Sequence, residues 1–411
     1  MFTKSQHCII IGASHAGVQA AFSLRKEGWE GKISLFDSSS FLPYHRPPLS
    51  KAFLSENHPH EKYQLKSKAA YEKADIDLQL GISILSVQRE QKVVISREGK
   101  TYPYDKLILA LGGSPIIPPI PGIDGSDKVF PLRTLEDVQQ IKETLHATQS
   151  KRVAIIGGGY IGLETAASLR KLDGRVTVLE REERVLARVT CEEMSSFFQQ
   201  LHTSHGVQIL TQKEVVHIQD HPSKVTIYCS DGSTFTSDIC ILGVGISPNT
   251  SLANEASLEI KNGVLADSTG KTSDPDIYAI GDCSNHFHEG YQTHLRLESV
   301  QNAVDQAKVA AANICGKEIM YDSIPWFWSD QYSTKLQIAG LSTEYNEVIC
   351  RKSSDTSFSL WYFRNDTLLA VDAINDAKAY VNGMKWLKGR IQLDKAKIGN
   401  KEEELKWAAV E

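Results

Sequence analysis

Val153-Ala154-Ile155-Ile156-Gly157-Gly158-Gly159-Tyr160-Ile161-Gly162 is an apolar run, a glycine turn and the opening of a helical pattern. The same grammar stands earlier in the chain, as Cys8-Ile9-Ile10-Ile11-Gly12-Ala13-Ser14-His15-Ala16-Gly17. Each is followed by a strand pattern that ends on an acid, Ile33-Ser34-Leu35-Phe36-Asp37 in one case and Val176-Thr177-Val178-Leu179-Glu180 in the other. Glycine at the turn lets backbone approach a pyrophosphate. The helix that follows presents free N–H groups and its positive dipole end, and the acid suits a ribose hydroxyl. One such fingerprint is weak evidence. Two imply a protein that holds two dinucleotides, the arrangement by which a flavin takes hydride from a nicotinamide.

Working outward, the length of 411 residues predicts two or three domains. A net charge of −5 gives no reason to invoke nucleic acid or a membrane surface. No apolar run is long enough to span a bilayer, and the N-terminus leads straight into the first strand pattern, so the expected location is the cytoplasm. The seven cysteines are dispersed and none forms a C-x-x-C pair, which argues against a disulfide framework, a metal site and an iron–sulfur site. Cys8 lies in a strand pattern and reads as core. Cys283 follows Asp282, and burial is the simpler account of it.

Residues 5–37 form the first Rossmann-like unit. The polar, proline-rich loop Phe41-Leu42-Pro43-Tyr44-His45-Arg46-Pro47-Pro48-Leu49-Ser50-Lys51 follows. The run from Tyr104 to Gly112 reads as a buried strand ending on glycine. The next stretch, Pro115-Ile116-Ile117-Pro118-Pro119-Ile120-Pro121-Gly122, favours an extended connector, and a domain crossing is expected there. The second unit begins near Lys151 and closes with Ile239-Cys240-Ile241-Leu242-Gly243-Val244-Gly245. Asp276-Ile277-Tyr278-Ala279-Ile280-Gly281-Asp282 is a further buried strand. Val300, Val304, Ala307, Ala311 and Ile314 recur at helical spacing, which predicts a helix over 296–314. From about residue 324 strand-like alternation takes over and predicts a third, α+β domain. Lys401-Glu402-Glu403-Glu404-Leu405-Lys406 reads as a charged tail, either a solvated helix or a frayed end.

These elements together carry a resemblance. Arg46-Pro47-Pro48-Leu49-Ser50-Lys51, Gly157-Gly158-Gly159-Tyr160-Ile161-Gly162-Leu163-Glu164, Gly243-Val244-Gly245 with Pro248-Asn249-Thr250, and Ile280-Gly281-Asp282 are its first part. Arg296-Leu297-Glu298-Ser299-Val300-Gln301-Asn302-Ala303 and Pro325-Trp326-Phe327-Trp328-Ser329-Asp330-Gln331 complete it. Over nearly the whole length the chain resembles the FAD-dependent NADH:ferredoxin reductases. That family takes in putidaredoxin reductase and the reductase components of aromatic-ring dioxygenases.

The resemblance implies an α/β, glutathione-reductase-like architecture with two Rossmann-like nucleotide-binding domains. An FAD domain of residues 1–112 and 244–323 is split by an inserted NADH domain of residues 113–243. A C-terminal α+β domain covers residues 324–411. It implies non-covalent FAD, NADH as substrate, and a small acidic [2Fe–2S] ferredoxin of an oxygenase system as transient partner, with no nucleic acid and no membrane. The oligomeric state stays open between monomer and weak homodimer.

It also implies site residues. Gly12, Ser14, His15, Ala16, Gly17, Arg46, Lys51, Ile84, Ala110, Arg133, Gly281, Asp282, Glu298, Ser299, Val300 and Trp328 would hold FAD, with either Asp37 or Ser38 on its adenosine ribose. Gly157, Gly159, Tyr160, Ile161, Gly162, Glu180, Arg188 and Gly245 would hold NADH. Lys51, Glu164 and Trp328 are the residues expected to act on the chemistry, Lys51 and Glu164 as an ion pair near the flavin ring. No metal is expected. Ser14 stands where the family pattern has glycine, and Leu111 where it has threonine. Glu180 argues for NADH, because a carboxylate binds two ribose hydroxyls and repels a 2′-phosphate. Arg181, Arg184 and Arg188 stand close by.

Three rival readings are narrower. Disulfide reductases of the same superfamily need a redox cysteine beside the flavin, and the segment from Asp37 to Lys51 contains none. A signalling flavoprotein resembling apoptosis-inducing factor shares the Arg-Pro-Pro-Leu-Ser-Lys motif but carries targeting and basic extensions. A reductase with rubredoxin or ascorbate radical as acceptor differs only in its partner.

Overall fold

The computed structural model describes residues 5–410. It divides into two compact units. One comprises the chain up to His45, His60–Ser114 and Ser247–Phe327; the other comprises Arg46–Pro59, Pro115–Ile246 and the chain from Trp328 on.

The first unit is built on a five-stranded parallel sheet. Its order is Ile277–Ala279, Lys106–Leu109, His7–Ile11, Lys32–Asp37 and Asp77–Leu80. The central strand is apolar from Cys8 to Ile11 because both of its faces are covered there. Cys8 and Ile10 point into a cluster with the helices His15–Glu27 and Val300–Ile314. Ile9 and Ile11 point the other way, into a cluster with Val87 and Val94 of a small antiparallel sheet. Alanines at 303, 307, 310 and 311 let the second helix lie close against the first.

That second helix starts later than its periodicity predicts. It begins at Val300 rather than near Arg296, because Ser299 is the N-cap and its Oγ accepts from Asn302 N at 3.1 Å. Arg296 is held outside the helix, its Nη1 2.5 Å from Glu298 Oε1.

The second unit repeats the plan. Its parallel sheet runs Gln208–Leu210, Arg175–Leu179, Arg152–Ile156, Ile239–Leu242 and Val129–Pro131. In the same unit, Thr334–Gly340, Thr367–Ile374, Ser357–Arg364 and Glu347–Ser354 form antiparallel pairs in a sheet that has Trp326–Gln331 at one edge, the residues of that strand from Trp328 on lying in this unit. The two sheets share one core. Leu163, Val185, Met194 and Phe198 pack with Leu336, Leu360, Tyr362 and Ile374. That joint burial is why the C-terminal strands and the second nucleotide unit form one compact body.

The charged run at 401–406 is neither a solvated helix nor a frayed end. Leu405 and Ala408 bury themselves against Trp361 and Trp386. Arg351, itself buried, donates to the carbonyls of Ile398, Asn400 and Glu403 at 3.0, 2.6 and 2.6 Å. One leucine among the acids and a guanidinium fifty residues upstream decide the outcome, and charge density alone does not report either.

Candidate functional site

Each fingerprint folds into a strand, a tight turn and a helix whose first turn carries no acid. The helix His15–Glu27 has Ser14 as N-cap, and the helix Tyr160–Lys171 has Gly159. Two other helices fill that end. Leu135–His146 has a capping box with Glu136 and Asp137 in its first turn, and Glu192–Ser204 starts with two glutamates. An N-terminus left without a carboxylate keeps its dipole and N–H groups for an external anion.

The glycines have distinct jobs. Gly12 and Gly157 sit at φ of +103° and +105°, and a Cβ on either would meet the carbonyl of Ala110 or Gly243 at 2.2 or 2.5 Å. Gly17 and Gly162 let each helix cross its own turn, since a Cβ there would lie 1.8 or 2.2 Å from the Gly12 or Gly157 carbonyl. A Cβ on Gly159 would meet nothing within 4 Å. That open space at a helix start is the room a pyrophosphate needs, so the residues fit a bound dinucleotide.

The two acids hold equivalent positions. Asp37 Oδ2 accepts from Ala13 N at 2.6 Å and its Oδ1 from Ser39 N at 2.8 Å. Glu180 Oε2 accepts from Gly158 N at 2.6 Å and its Oε1 from Glu182 N at 2.8 Å. Ser38, the alternative to Asp37, is exposed. Of the three arginines near Glu180, Arg181 pairs with Glu182 at 2.9 Å. Arg184 donates to Ala187 O, Cys191 O and Ser195 Oγ. Arg188 is exposed. Arg184 is therefore occupied in pinning its own loop.

In the first unit, Gly281 N donates to Gln306 Oε1 at 2.6 Å, which brings the Gly281-Asp282 turn against the helix Val300–Ile314. Gly281 has φ +76°, and a Cβ on it would press on Ala16 Cβ at 3.1 Å. Gly12, Ser14, His15, Ala16, Gly17, Ala110, Gly281, Asp282, Glu298, Ser299, Val300 and Ile84 all lie in this unit. Ile84 packs on its apolar cluster.

In the second unit, Gly157, Gly159, Tyr160, Ile161, Gly162, Glu180, Arg188 and Gly245 lie together with Arg46, Lys51, Arg133, Glu164 and Trp328. Arg46 Nη1 donates to Arg133 O at 2.8 Å. Lys51 Nζ lies 2.6 Å from Glu164 Oε2, and Glu164 is 1 % exposed. Ser50 Oγ donates to the same oxygen at 2.6 Å, and Ser329 Oγ donates to Glu164 Oε1 at 2.6 Å. A buried carboxylate needs such partners to offset its lost hydration. Sequence reasoning passed over Ser50 and Ser329, although both stand inside the quoted motifs. Strand alternation was the available signal: Trp328 and Ser329 must face opposite sides.

All seven cysteines are free thiols. Burial pushes Cys191 and Cys283 up to about 11 and Cys240 to about 12, so these are inert, protonated core side chains. Among the described residues no cluster of His, Cys, Asp or Glu could hold a metal ion, and no helix is long and apolar enough to cross a membrane.

A family model described as pyridine nucleotide-disulphide oxidoreductase matches residues 6–307, and one described as reductase C-terminal matches residues 326–409. The chain belongs to the pyridine nucleotide-disulphide oxidoreductase family. It is 38% identical to putidaredoxin reductase of Pseudomonas putida over 98% of this chain and 96% of that protein. It is 39% identical to the 5,5'-dehydrodivanillate O-demethylase ferredoxin reductase subunit of a Sphingobium species, over 97% of each. Among solved structures it matches the reductase in a covalent putidaredoxin reductase–putidaredoxin complex, with TM-score 0.94, 38% identity and 98% of each chain covered. A ferredoxin reductase from Rhodopseudomonas palustris matches with TM-score 0.95 and 34% identity, over 98% of this chain and 100% of that one. The chain is an FAD oxidoreductase that uses NADH, of the ferredoxin reductase type.

Proposed function

We propose that this chain draws hydride from NADH onto FAD and passes single electrons to a small [2Fe–2S] ferredoxin that serves an oxygenase, in the cytoplasm. The observation that carries the reading is the likeness, along nearly the whole chain, to putidaredoxin reductase, a relative whose structure is of a covalent complex with putidaredoxin. When bound, FAD accepts two electrons as hydride and gives them up one at a time.

The residues of this chain bind, orient and charge the site. Residues 1–112 and 244–323 make the FAD domain, with the pyrophosphate on the start of the helix His15–Glu27 and Asp282 on the ribityl chain. Residues 113–243 make the NADH domain. There the start of the helix Tyr160–Lys171 takes the pyrophosphate, and Glu180 takes the ribose hydroxyls while rejecting a 2′-phosphate. The start of the helix Val300–Ile314, free of acids in its first turn, offsets negative charge on the reduced ring. Lys51 and Glu164 set the charge beside that ring. Residues 324–411 supply Trp328, and the ferredoxin docks around it.

Such a partner is acidic, and Lys335, Lys385, Lys388 and Arg390, all exposed, steer it. Replacing all four by glutamine slows ferredoxin reduction and flattens its salt dependence, while flavin reduction by NADH stays unchanged. An unaltered salt slope places the docking face elsewhere.

A second reading has support of its own. A rubredoxin–NAD(+) reductase of Pseudomonas putida is 36% identical over 89% of this chain and 95% of that protein. NADH-driven reduction of a panel of [2Fe–2S] ferredoxins and of rubredoxin by the purified, FAD-loaded protein separates the two. The primary reading predicts faster turnover with a ferredoxin. Turnover with rubredoxin alone rejects it.

A further inference from the structure

Glu164 is the end of a longer buried chain. Ser329 Oγ, which donates to Glu164 Oε1, accepts from Gln331 Nε2 at 3.1 Å. Gln331 Oε1 lies 2.7 Å from His202 Nε2, and His202 Nδ1 lies 3.3 Å from Tyr332 Oη. Ser329, Gln331 and His202 are 1 %, 1 % and 0 % exposed. The Tyr332 ring stacks on His205 at the open end, with centroids 3.7 Å apart.

The chain has a direction. An amide oxygen only accepts, so His202 carries its proton on Nε2. Burial pushes His202 down to about 4, so the ring is neutral and has no second proton; its Nδ1 must accept from Tyr332. Gln331 then spends its N–H on Ser329, and Ser329 spends its single O–H on Glu164. Turning any member round leaves a buried donor facing a donor, or an acceptor facing an acceptor, which costs far more than one ordinary hydrogen bond yields. The amide in the middle cannot pass a proton along under ordinary conditions, so the chain is a brace and not a conduit.

We infer that Ser329, Gln331 and His202 are positioning residues for electron transfer. They form a one-way donor chain that ties Glu164, and through it Lys51, to the helix Glu192–Ser204. This rests on the reading that the Lys51–Glu164 pair acts on the flavin. Neither residue beyond Ser329 touches that pair, so their effect must run through Glu164.

A double-mutant cycle on the FAD-loaded enzyme tests it, with the rate of flavin reduction by NADH as one readout. Gln331→Met keeps the volume and removes both hydrogen bonds. It is expected to slow reduction by about threefold to tenfold with the Kd for NADH unchanged. In a Glu164→Gln background the same substitution is expected to have no further effect. An equal loss in both backgrounds, or none in the first, overturns the inference and leaves the Lys51–Glu164 reading standing. If Glu164→Gln alone leaves the rate untouched, both fall. A second readout needs no turnover. Ring 15N NMR of His202 at pH 7.5 is expected to show a neutral imidazole with its proton on Nε2, and a proton on Nδ1 overturns the donor direction.

Discussion

Asp372 should make this protein less stable as the pH rises toward neutrality. Its carboxyl is 1 % exposed, in the core shared by the C-terminal sheet and the second nucleotide unit. Burial pushes it up from the usual 3.8 to about 6, although Tyr362 Oη and Thr190 Oγ1 donate to Oδ2 at 2.6 and 2.7 Å and pull the other way. A carboxyl whose folded pKa lies above its unfolded value gives its full stability at low pH and loses it as pH climbs through the folded pKa. With those two values, ionisation costs about 1.5 kcal/mol at pH 5 and about 3 kcal/mol at pH 8. Asp372→Asn keeps the shape and removes the titration. Its amide N–H lacks a partner, but that cost does not vary with pH. The stability difference between variant and parent should therefore move in the variant's favour by about 1.4 kcal/mol between pH 5 and pH 8. Urea unfolding followed by tryptophan fluorescence at four pH values measures it. A difference that stays flat across that range refutes the reasoning, because it means that the carboxyl already titrates like a free aspartate.

Glu180→Ala should narrow the preference for NADH over NADPH by about tenfold or more in kcat/KM, and comparable values for both coenzymes in the parent enzyme would sink the assignment. The same variant frees the N–H groups of Gly158 and Glu182, so KM for NADH should rise as well. Alkylation of the folded enzyme should label the exposed Cys350 fastest and leave NADH-to-dye electron transfer intact; loss of activity on modifying one thiol reverses the reading of the cysteines. Arg351→Ala should free the C-terminal segment at a cost of about 3 kcal/mol, seen as faster tryptic cleavage after Lys401, and unchanged cleavage would mean that Leu405 and Ala408 hold the segment alone.

The two glycine turns were readable because a short glycine motif dictates its own backbone. Gly12 and Gly157 need positive φ and a near-contact with a neighbouring strand, and no other residue type supplies both. The start of the 300–314 helix was misread because apolar spacing locates a helix and only the cap locates its end. The tail at 401–406 was misread because its partners, Arg351, Trp361 and Trp386, are brought in by the fold. The same holds for the brace behind Glu164. Nothing in the spacing of His202, Gln331 and Ser329 announces it, since a helix of the second unit and an edge strand of the C-terminal sheet must meet first.

The carboxylates of Asp37 and Glu180 make the same bond, each to the N–H that follows the first glycine of its turn. They do so from side chains that differ by one methylene. The backbone positions are the same: Phe36 pairs with Ile11 and Leu179 with Ile156, and each acid is the next residue along. From one shared backbone position, two side chains of unequal length reach the matching N–H at the same 2.6 Å. Exchanging the two acids, Asp37→Glu with Glu180→Asp, is accordingly no conservative swap, for each turn is closed by a side chain of its own length at the same backbone position.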